Sequence, residues 1–154
     1  MIEELKSSDV KNAVAKRLLE IAPAVSVYKE ATTKPVFPHF FVYQMEVSDD
    51  EERKGFHILS YSMTVRYRVA SDPSTDLKLE QDLDEMALKL LRGFNIIDFG
   101  QDKVKCVEKR YEKIDGVLHF FFTISVLAKA VAKDDETVKQ GKLNLEVELD
   151  GNKA

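Results

Sequence analysis

The sequence is poor in the residues on which several common kinds of site depend. It has one cysteine, no tryptophan, six glycines and four prolines among 154 residues. Because Cys106 is alone, a disulfide within the chain and a zinc site built on cysteine pairs are both excluded. The glycines form neither a GxGxxG nor a GxxxxGK pattern, so nucleotide binding by either of those phosphate-cradling loops is not expected.

Long apolar runs and a strong charge of one sign are also missing. No apolar stretch approaches the roughly 20 residues that span a bilayer, and the first six residues, MIEELK, are not those of a signal peptide. We therefore expect a soluble protein that is not secreted through a cleaved leader and has no membrane partner. The formal net charge of -4 lacks the basic excess of most nucleic-acid binders, so direct nucleic-acid recognition is not expected either.

Hydrophobic residues make up 44% of the sequence and aromatic residues 9%, enough for the core of one compact domain. Apolar residues at helical spacing predict two amphipathic helices. The first covers residues 8–21, and the second opens within residues 71–76 and carries an apolar stripe from Leu79 to Phe94.

Alternating apolar and polar residues predict strands over residues 25–28, 39–47, 56–69, 104–114 and 117–130. In the second of these, the odd positions Phe41, Tyr43, Met45 and Val47 are expected to form the buried face. Residues 48–55 are predicted to be a polar connector that makes the second and third strands a hairpin, and Asp115-Gly116 suits the turn of another hairpin. Typical strands have about 5–6 residues, so these are longer than a compact core requires.

The order of elements predicts an α+β fold, with a mostly antiparallel sheet, long hairpins and two helices packed on one face. We assign residues 1–131 to this single domain. Residues 132–154 are predicted to be a polar linker followed by a C-terminal strand with alternating apolar side chains, namely Leu143, Leu145, Val147 and Leu149.

No arrangement of residues indicates catalysis. His39, His57 and His119 fall on three different predicted strands, so structural or surface roles are favoured over metal binding. Cys106 lies in the middle of a strand, where packing is favoured over nucleophilic chemistry. We expect no catalytic residue, no cofactor and no metal site.

A cluster of positive charge lies on the strand at residues 104–114 and just before it. It could be a nucleic-acid patch, since phosphate contacts need clustered positive charge, or a solvated or subunit-facing strand. The acidic total favours the second interpretation. The residues of this cluster are Lys103, Lys105, Lys109, Arg110 and Lys113, and the first three are our candidates for an interface.

Residues 110–122, RYEKIDGVLHFFF, carry a likeness to a known family. Together with a preceding helix that ends Leu90-Leu91, this segment resembles small tail terminator proteins of phages and of phage-like elements of low-GC Gram-positive bacteria. The order of elements is similar over nearly the whole chain. Departures are the extra charge at residues 48–54 and a longer polar linker before the final strand.

The resemblance implies a non-enzymatic ring protein, usually a hexamer, that caps the tail tube and stops tail polymerisation. Its partners would be further copies of itself, the tail tube protein, and the sheath and head connector proteins. It would be made in the bacterial cytoplasm and reside in a virion or a tail-like bacteriocin. The alternatives are another phage structural module, such as a head–tail joining protein or a tube subunit, or a small ligand-binding domain or enzyme.

Two further segments are candidates for subunit interfaces. The acidic residues of the hairpin connector, Asp49, Asp50, Glu51 and Glu52, would contact a neighbouring subunit. The C-terminal strand would dock as an added strand on another subunit, since four alternating apolar side chains in water create an aggregation-prone edge. The alternative for this strand is that it folds back onto its own sheet.

Overall fold

The computed structural model describes residues 7–70, 76–100 and 102–129, which form two helices and six strands. The helices are α1 (Ser7–Ile21) and α2 (Asp76–Gly93). The strands are β1 (Ser26–Tyr28), β2 (His39–Arg53), β3 (Phe56–Arg68), β4 (Ile96–Phe99), β5 (Asp102–Ile114) and β6 (Val117–Lys129). They form one sheet in the order β1-β2-β3-β6-β5-β4. The predicted α+β class with a mostly antiparallel sheet is confirmed.

Contacts within the chain divide it into two compact units. Among the described residues, those within 7–47 and 61–125 form the main unit, which contains both helices and the larger part of the sheet. Described residues 48–60 and 126–129 form the hairpin unit, which contains the end of β2, the start of β3 and the end of β6.

The two helices pack through small and aliphatic residues. Val10, Val14 and Leu18 recur at helical spacing on α1 and are fully buried, as the sequence predicts. At the end of α2, a Cβ on Gly93 would lie 2.5 Å from Cδ1 of Ile21. A side chain at residue 93 would therefore require the Ile21 side chain to move.

The hairpin of β2 and β3 has a tighter turn than predicted. Only Lys54 and Gly55 connect the strands, and Gly55 has a φ of 81°, a left-handed conformation that suits glycine. The prediction that residues 48–53 belong to a connector is wrong, because β2 continues to Arg53. The acidic residues therefore project from a paired strand, whose backbone hydrogen bonds do not depend on side-chain polarity.

The predicted buried face of β2 is also wrong. Phe40 and Val42 are 0% exposed, whereas Met45 and Val47 are 49% and 43% exposed. The strand carries apolar side chains at both even and odd positions, so alternation alone could not decide which set faces the core. On β3 and β6 the predicted alternation is confirmed, with Tyr61, Met63 and Val65 buried on β3, and Leu118, Phe120, Phe122 and Ile124 buried on β6.

Strand β4 is not among the strands that the sequence predicts. It pairs antiparallel with β5, from Ile96 opposite Lys105 to Phe99 opposite Asp102. The β5–β6 hairpin is confirmed, and Asp115 and Gly116 form its turn with φ angles of 51° and 75°. At the other edge β1 pairs parallel to β2.

A β-bulge interrupts β5. Val107 pairs with Thr123 and Arg110 with Phe121, so Glu108 and Lys109 together stand opposite Phe122. Glu108 has a φ of 54°, a left-handed conformation rare for a residue other than glycine. The bulge exchanges the two faces of the strand, because the odd residue Val107 and the even residue Arg110 share a face.

Three predictions fall outside the described residues. They are the opening of the second helix at residues 71–75, the linker from residue 132, and the strand containing Leu143, Leu145, Val147 and Leu149.

Candidate interaction surface

Both helices lie on the same face of the sheet in the main unit. The ring of Phe94, just after α2, lies 5.6 Å from the ring of Phe120 and 4.9 Å from that of Phe122. Nζ of Lys113 on β5 contacts Oε2 of Glu80 at 2.6 Å and Oδ1 of Asp84 at 2.9 Å on α2. These carboxylates raise the pKa of the Lys113 ammonium.

We call the opposite side of the sheet in the main unit the open face, since neither described helix packs there. Strand alternation and register assign its residues. They include Phe41, Tyr43, Met45 and Val47 of β2, Thr64, Arg66 and Arg68 of β3, Val107, Arg110 and Glu112 of β5, and His119 and Phe121 of β6.

Arg66 lies at the centre of the first of two cation–aromatic groups on the open face. Its guanidinium carbon lies 4.7 Å from the ring centroid of Tyr43 and 5.6 Å from that of Phe41. The Nε of Arg66 and the Oγ1 of Thr64 are buried and have no hydrogen-bond partner among the described residues. The Nε–H of Arg66 is therefore a hydrogen-bond donor without an acceptor, on a side chain that is half-buried.

The second group is centred on Phe121. The guanidinium carbon of Arg110 lies 4.1 Å from the Phe121 centroid, and the His119 ring stacks on Phe121 at 6.3 Å between centroids. Burial lowers the pKa of His119, the charge of Arg66 lowers it further, and Glu112 raises it. Nη1 of Arg110 also contacts Oε2 of Glu112 at 2.6 Å.

The bulge in β5 creates a depression beside this second group. Its volume is about 430 Å³. The lining residues are Met45, Ser62, Glu108, Lys109, Arg110, Phe121, Phe122 and Thr123. A bulge re-aims the side chains next to it, and here it brings Arg110 over Phe121.

The basic residues of β5 have different surroundings. Lys103 donates to Oδ1 of Asp98 at 2.7 Å, and this bond lowers the pKa of the Asp98 carboxyl. Lys105 is exposed. Lys109 instead donates to the carbonyl of Leu91 at 2.9 Å and to Oδ1 of Asn95 at 2.6 Å, so its ammonium lies at the C-terminal end of α2.

The four acidic residues of the hairpin unit are all exposed. Asp49 accepts a hydrogen bond from Nδ1 of His57 at 2.8 Å when that nitrogen is protonated. Asp50, Glu51 and Glu52 have no ion-pair partner among the residues that the structure describes. The turn beyond them contains Lys54, and the guanidinium of Arg53 lies over the Phe56 ring at 4.5 Å.

The remaining titratable groups give no sign of a reaction centre. Cys106 is buried, and burial raises the pKa of its thiol to about 11. Nδ1 of His39 lies 3.1 Å from the Val36 carbonyl oxygen, to which it donates when it is protonated, and burial lowers the pKa of His39. Within the described ranges, no three His, Cys, Asp or Glu side chains come close enough together to hold a metal ion.

Sequence analysis did not single out Arg66, Arg68 or the stacking of Arg110 on Phe121. The arginines of β3 occupy the polar positions of a clear alternation, which places them on one face. Their aromatic partners on β2 could not be found, because the buried face of that strand had been assigned the wrong way round.

Comparison with known families supplies the decisive observation. A family model described as "Phage tail terminator protein" matches residues 9–139, most of the chain. The chain belongs to the phage tail terminator family. No curated protein matches it.

As a member of this family, the chain is a structural protein of the phage tail, which associates with other tail components. The matched range contains α1, α2 and all six strands, apart from the first two residues of α1. Membership in a family of structural tail proteins points away from enzymatic activity. Neither helix in the described part of the chain is long and apolar enough to cross a membrane.

Proposed function

We propose that this tail terminator forms a closed ring, a hexamer, that caps the tail tube and stops its polymerisation. The family match over residues 9–139 is the observation that carries this proposal. Its partners are further copies of the chain, the tail tube protein, and the sheath and head connector proteins where these exist. The particle is a phage or a tail-like bacteriocin.

The length of the strands supports a role in assembly. Strands β2, β3, β5 and β6 have 15, 13, 13 and 13 residues, against about 5–6 for a typical strand. A ring needs two different complementary surfaces on each subunit, and long strands supply surface and sheet edge beyond what a core uses.

The C-terminal segment is a second contact in this proposal. Residues 143–149 add as a strand to another subunit in the ring or in the adjoining tail layer, with residues 132–141 as the tether. Residues 1–131 then constitute the ring-forming domain. This division predicts that the domain folds without the residues that follow it.

Deletion of the gene in a producing strain tests the proposal. Without the chain, tails should lose their uniform length, as electron microscopy of purified particles would show, and a plasmid copy should restore it. Mass spectrometry of purified tail ends should detect the chain. Uniform tails in the deletion strain would contradict the capping role, and open stacks of the purified protein would indicate a tube subunit instead.

A further inference from the structure

The open face carries more positive than negative charge at its centre. Arg66, Arg68 and Arg110 project from it, whereas the acidic groups beside them are Glu112 and Glu108. Glu112 pairs with Arg110. In the described part of the chain, neither Arg66 nor Arg68 has a carboxylate within ion-pair distance.

Arg66 is the least satisfied of these cations. Its guanidinium lies over the rings of Tyr43 and Phe41. Its Nε is buried without an acceptor in the described structure, so a partner from outside would reach the terminal N–H groups. A guanidinium group binds a carboxylate through N–H groups that lie in its own plane. Stacking of its flat side on an aromatic ring leaves these N–H groups free. The arrangement therefore suits an anionic partner that approaches from outside the sheet.

The aromatic rings of the open face do not suit a nucleic acid. Phe121 already has Arg110 and His119 stacked on it, and Tyr43 has Arg66. Single-stranded nucleic acids bind through bases stacked on accessible aromatic faces, which these contacts occupy. Carboxylates need only the guanidinium edges, so the surface favours an acidic protein segment.

The chain itself carries such a segment in its hairpin unit. Asp50, Glu51 and Glu52 are exposed and without ion-pair partners in the described structure, while Asp49 is held by His57. Asp50 and Glu52 are two residues apart on β2, so they lie on the same face, and Glu51 lies on the opposite face. These residues project from paired strands, so binding would order little backbone that is not already ordered. Exposed Met45, which lines the depression beside Arg110, offers apolar surface to the stem of an inserted side chain.

We propose that Arg66, Arg68 and Arg110 on the open face of one copy bind Asp50 and Glu52, which share one face of the hairpin of a second copy. The contact joins two different surfaces of the same chain, so its repetition closes a ring when the rotation between copies is a simple fraction of a full turn. The inference rests on the proposed function only for the closure into a ring; the pairing itself depends on charge and geometry alone.

A charge-swap experiment on the full-length chain tests the pairing. Arg110→Glu and Glu52→Arg should each weaken self-association by at least about tenfold, measured by sedimentation velocity and native mass spectrometry. The double variant should recover most of that loss, because it recreates the pair with reversed polarity. Lys78→Glu and Glu85→Arg make the same charge changes at exposed positions of α2 and should leave association unchanged.

The same variants are then expressed in the deletion strain, and tail length is measured by electron microscopy. Arg110→Glu and Glu52→Arg should give tails of irregular length, and the double variant should give tails closer to uniform. Thermal unfolding of each variant shows whether it is folded. If Arg110→Glu destabilises the fold, Arg68→Glu takes its place in the charge-swap experiment, because Arg68 is exposed.

Three results would overturn the inference. One is a double variant no better than the single variants in both assays. Another is that Arg110→Glu and Arg68→Glu associate, and give tail lengths, in the same way as the control variant Lys78→Glu. The third is binding of a fluorescent 30-nucleotide DNA at about 150 mM salt by the wild type but not by Arg68→Glu, which would make the open face a nucleic-acid surface. Normal tails in the deletion strain would instead refute the capping function and leave the solution measurement to decide the pairing.

Discussion

Side chains from three parts of the chain meet the C-terminal end of α2. Arg17 of α1 donates through Nε to the carbonyl of Gly93 at 2.7 Å, and Asn95 donates to that of Arg92 at 2.9 Å. Lys109 of β5 supplies the contact to Leu91. The last carbonyls of a helix have no partners within it and carry its negative dipole end, so cationic donors stabilise them. Lys109, a candidate interface residue by sequence, therefore has a role within the fold.

Lys109→Met should lower the free energy of unfolding by about 1–2 kcal/mol, because it removes charge-assisted hydrogen bonds at a helix end. Urea denaturation followed by circular dichroism measures the change. Lys105→Met removes the same charge from an exposed position of the same strand and should cost less than about 0.5 kcal/mol. Equal effects of the two substitutions would show that Lys109 does not stabilise α2.

Cys106 should make stability fall in alkaline solution. Burial raises the pKa of its thiol from 9.0 to about 11, so the folded chain keeps a proton that the unfolded chain releases. The stability contributed by the neutral thiol is therefore complete below pH 9.0 and is lost as the pH rises towards about 11. The urea midpoint of the wild type should fall more between pH 8 and pH 10 than that of Cys106→Ala. Parallel falls would contradict the raised pKa.

The bulge is the feature of β5 that shapes the open face. It places Arg110 over Phe121 and contributes Glu108 to the depression beside them. The left-handed conformation of Glu108 costs roughly 1–2 kcal/mol for a residue with a Cβ. This cost arises beside Arg110, whose guanidinium lies over the Phe121 ring.

Glu108→Gly should raise the free energy of unfolding by up to about 1 kcal/mol, since glycine adopts a φ of 54° without steric cost. Glu112→Gly, at a regularly paired position of the same strand, should lower it by about 0.5–1 kcal/mol because glycine weakens a strand. Chemical denaturation of both variants compares them. A loss of stability in Glu108→Gly would show that its side chain matters more than its backbone conformation.

Strands β3 and β6 were predicted well because most of their apolar residues fall on one face of the strand. On β3 and β6 every second residue is apolar, so the buried face was predicted correctly and the strand limits to within one residue. On β2 both faces carry apolar residues, because the odd positions hold Phe41 and Tyr43, on which Arg66 stacks. No turn residue marks Glu108 in advance, and the partners of Lys109 lie 14 and 18 residues away, so the bulge and the helix cap required the structure.

At the scale of the whole molecule, the acidic cluster and the open-face arginines belong to separate units of one chain. The hairpin unit carries Asp49 to Glu52, and the main unit carries the arginines of the open face. A net charge of -4 hides this separation, because it averages the two. An assembly protein needs such asymmetry, since a subunit that presents one charge everywhere repels its own copies.

Removal of the residues after Ala132 should abolish assembly without changing the melting temperature of the isolated subunit. The reason is that the proposed C-terminal strand, residues 143–149, is completed by another subunit and not by its own sheet. Differential scanning calorimetry and tail-length measurements on the truncated chain check the two halves of this prediction. A lower melting temperature would place the strand in the core of its own subunit.

The strand order β1-β2-β3-β6-β5-β4 has a consequence for the folding pathway. Every pair of neighbours is consecutive along the chain except β3 and β6, which are separated by α2, β4 and β5. Local hairpins form early because they close short loops, so joining β3 to β6 is the entropically expensive step. Conservative truncations of buried residues on β3 and β6, such as Val65→Ala and Ile124→Val, should therefore slow refolding more than Leu18→Ala in α1 at equal loss of stability, as stopped-flow φ-values would reveal. The folding nucleus would then lie at the pairing of β3 with β6, where the two parts of the sheet, β1-β2-β3 and β6-β5-β4, first come together.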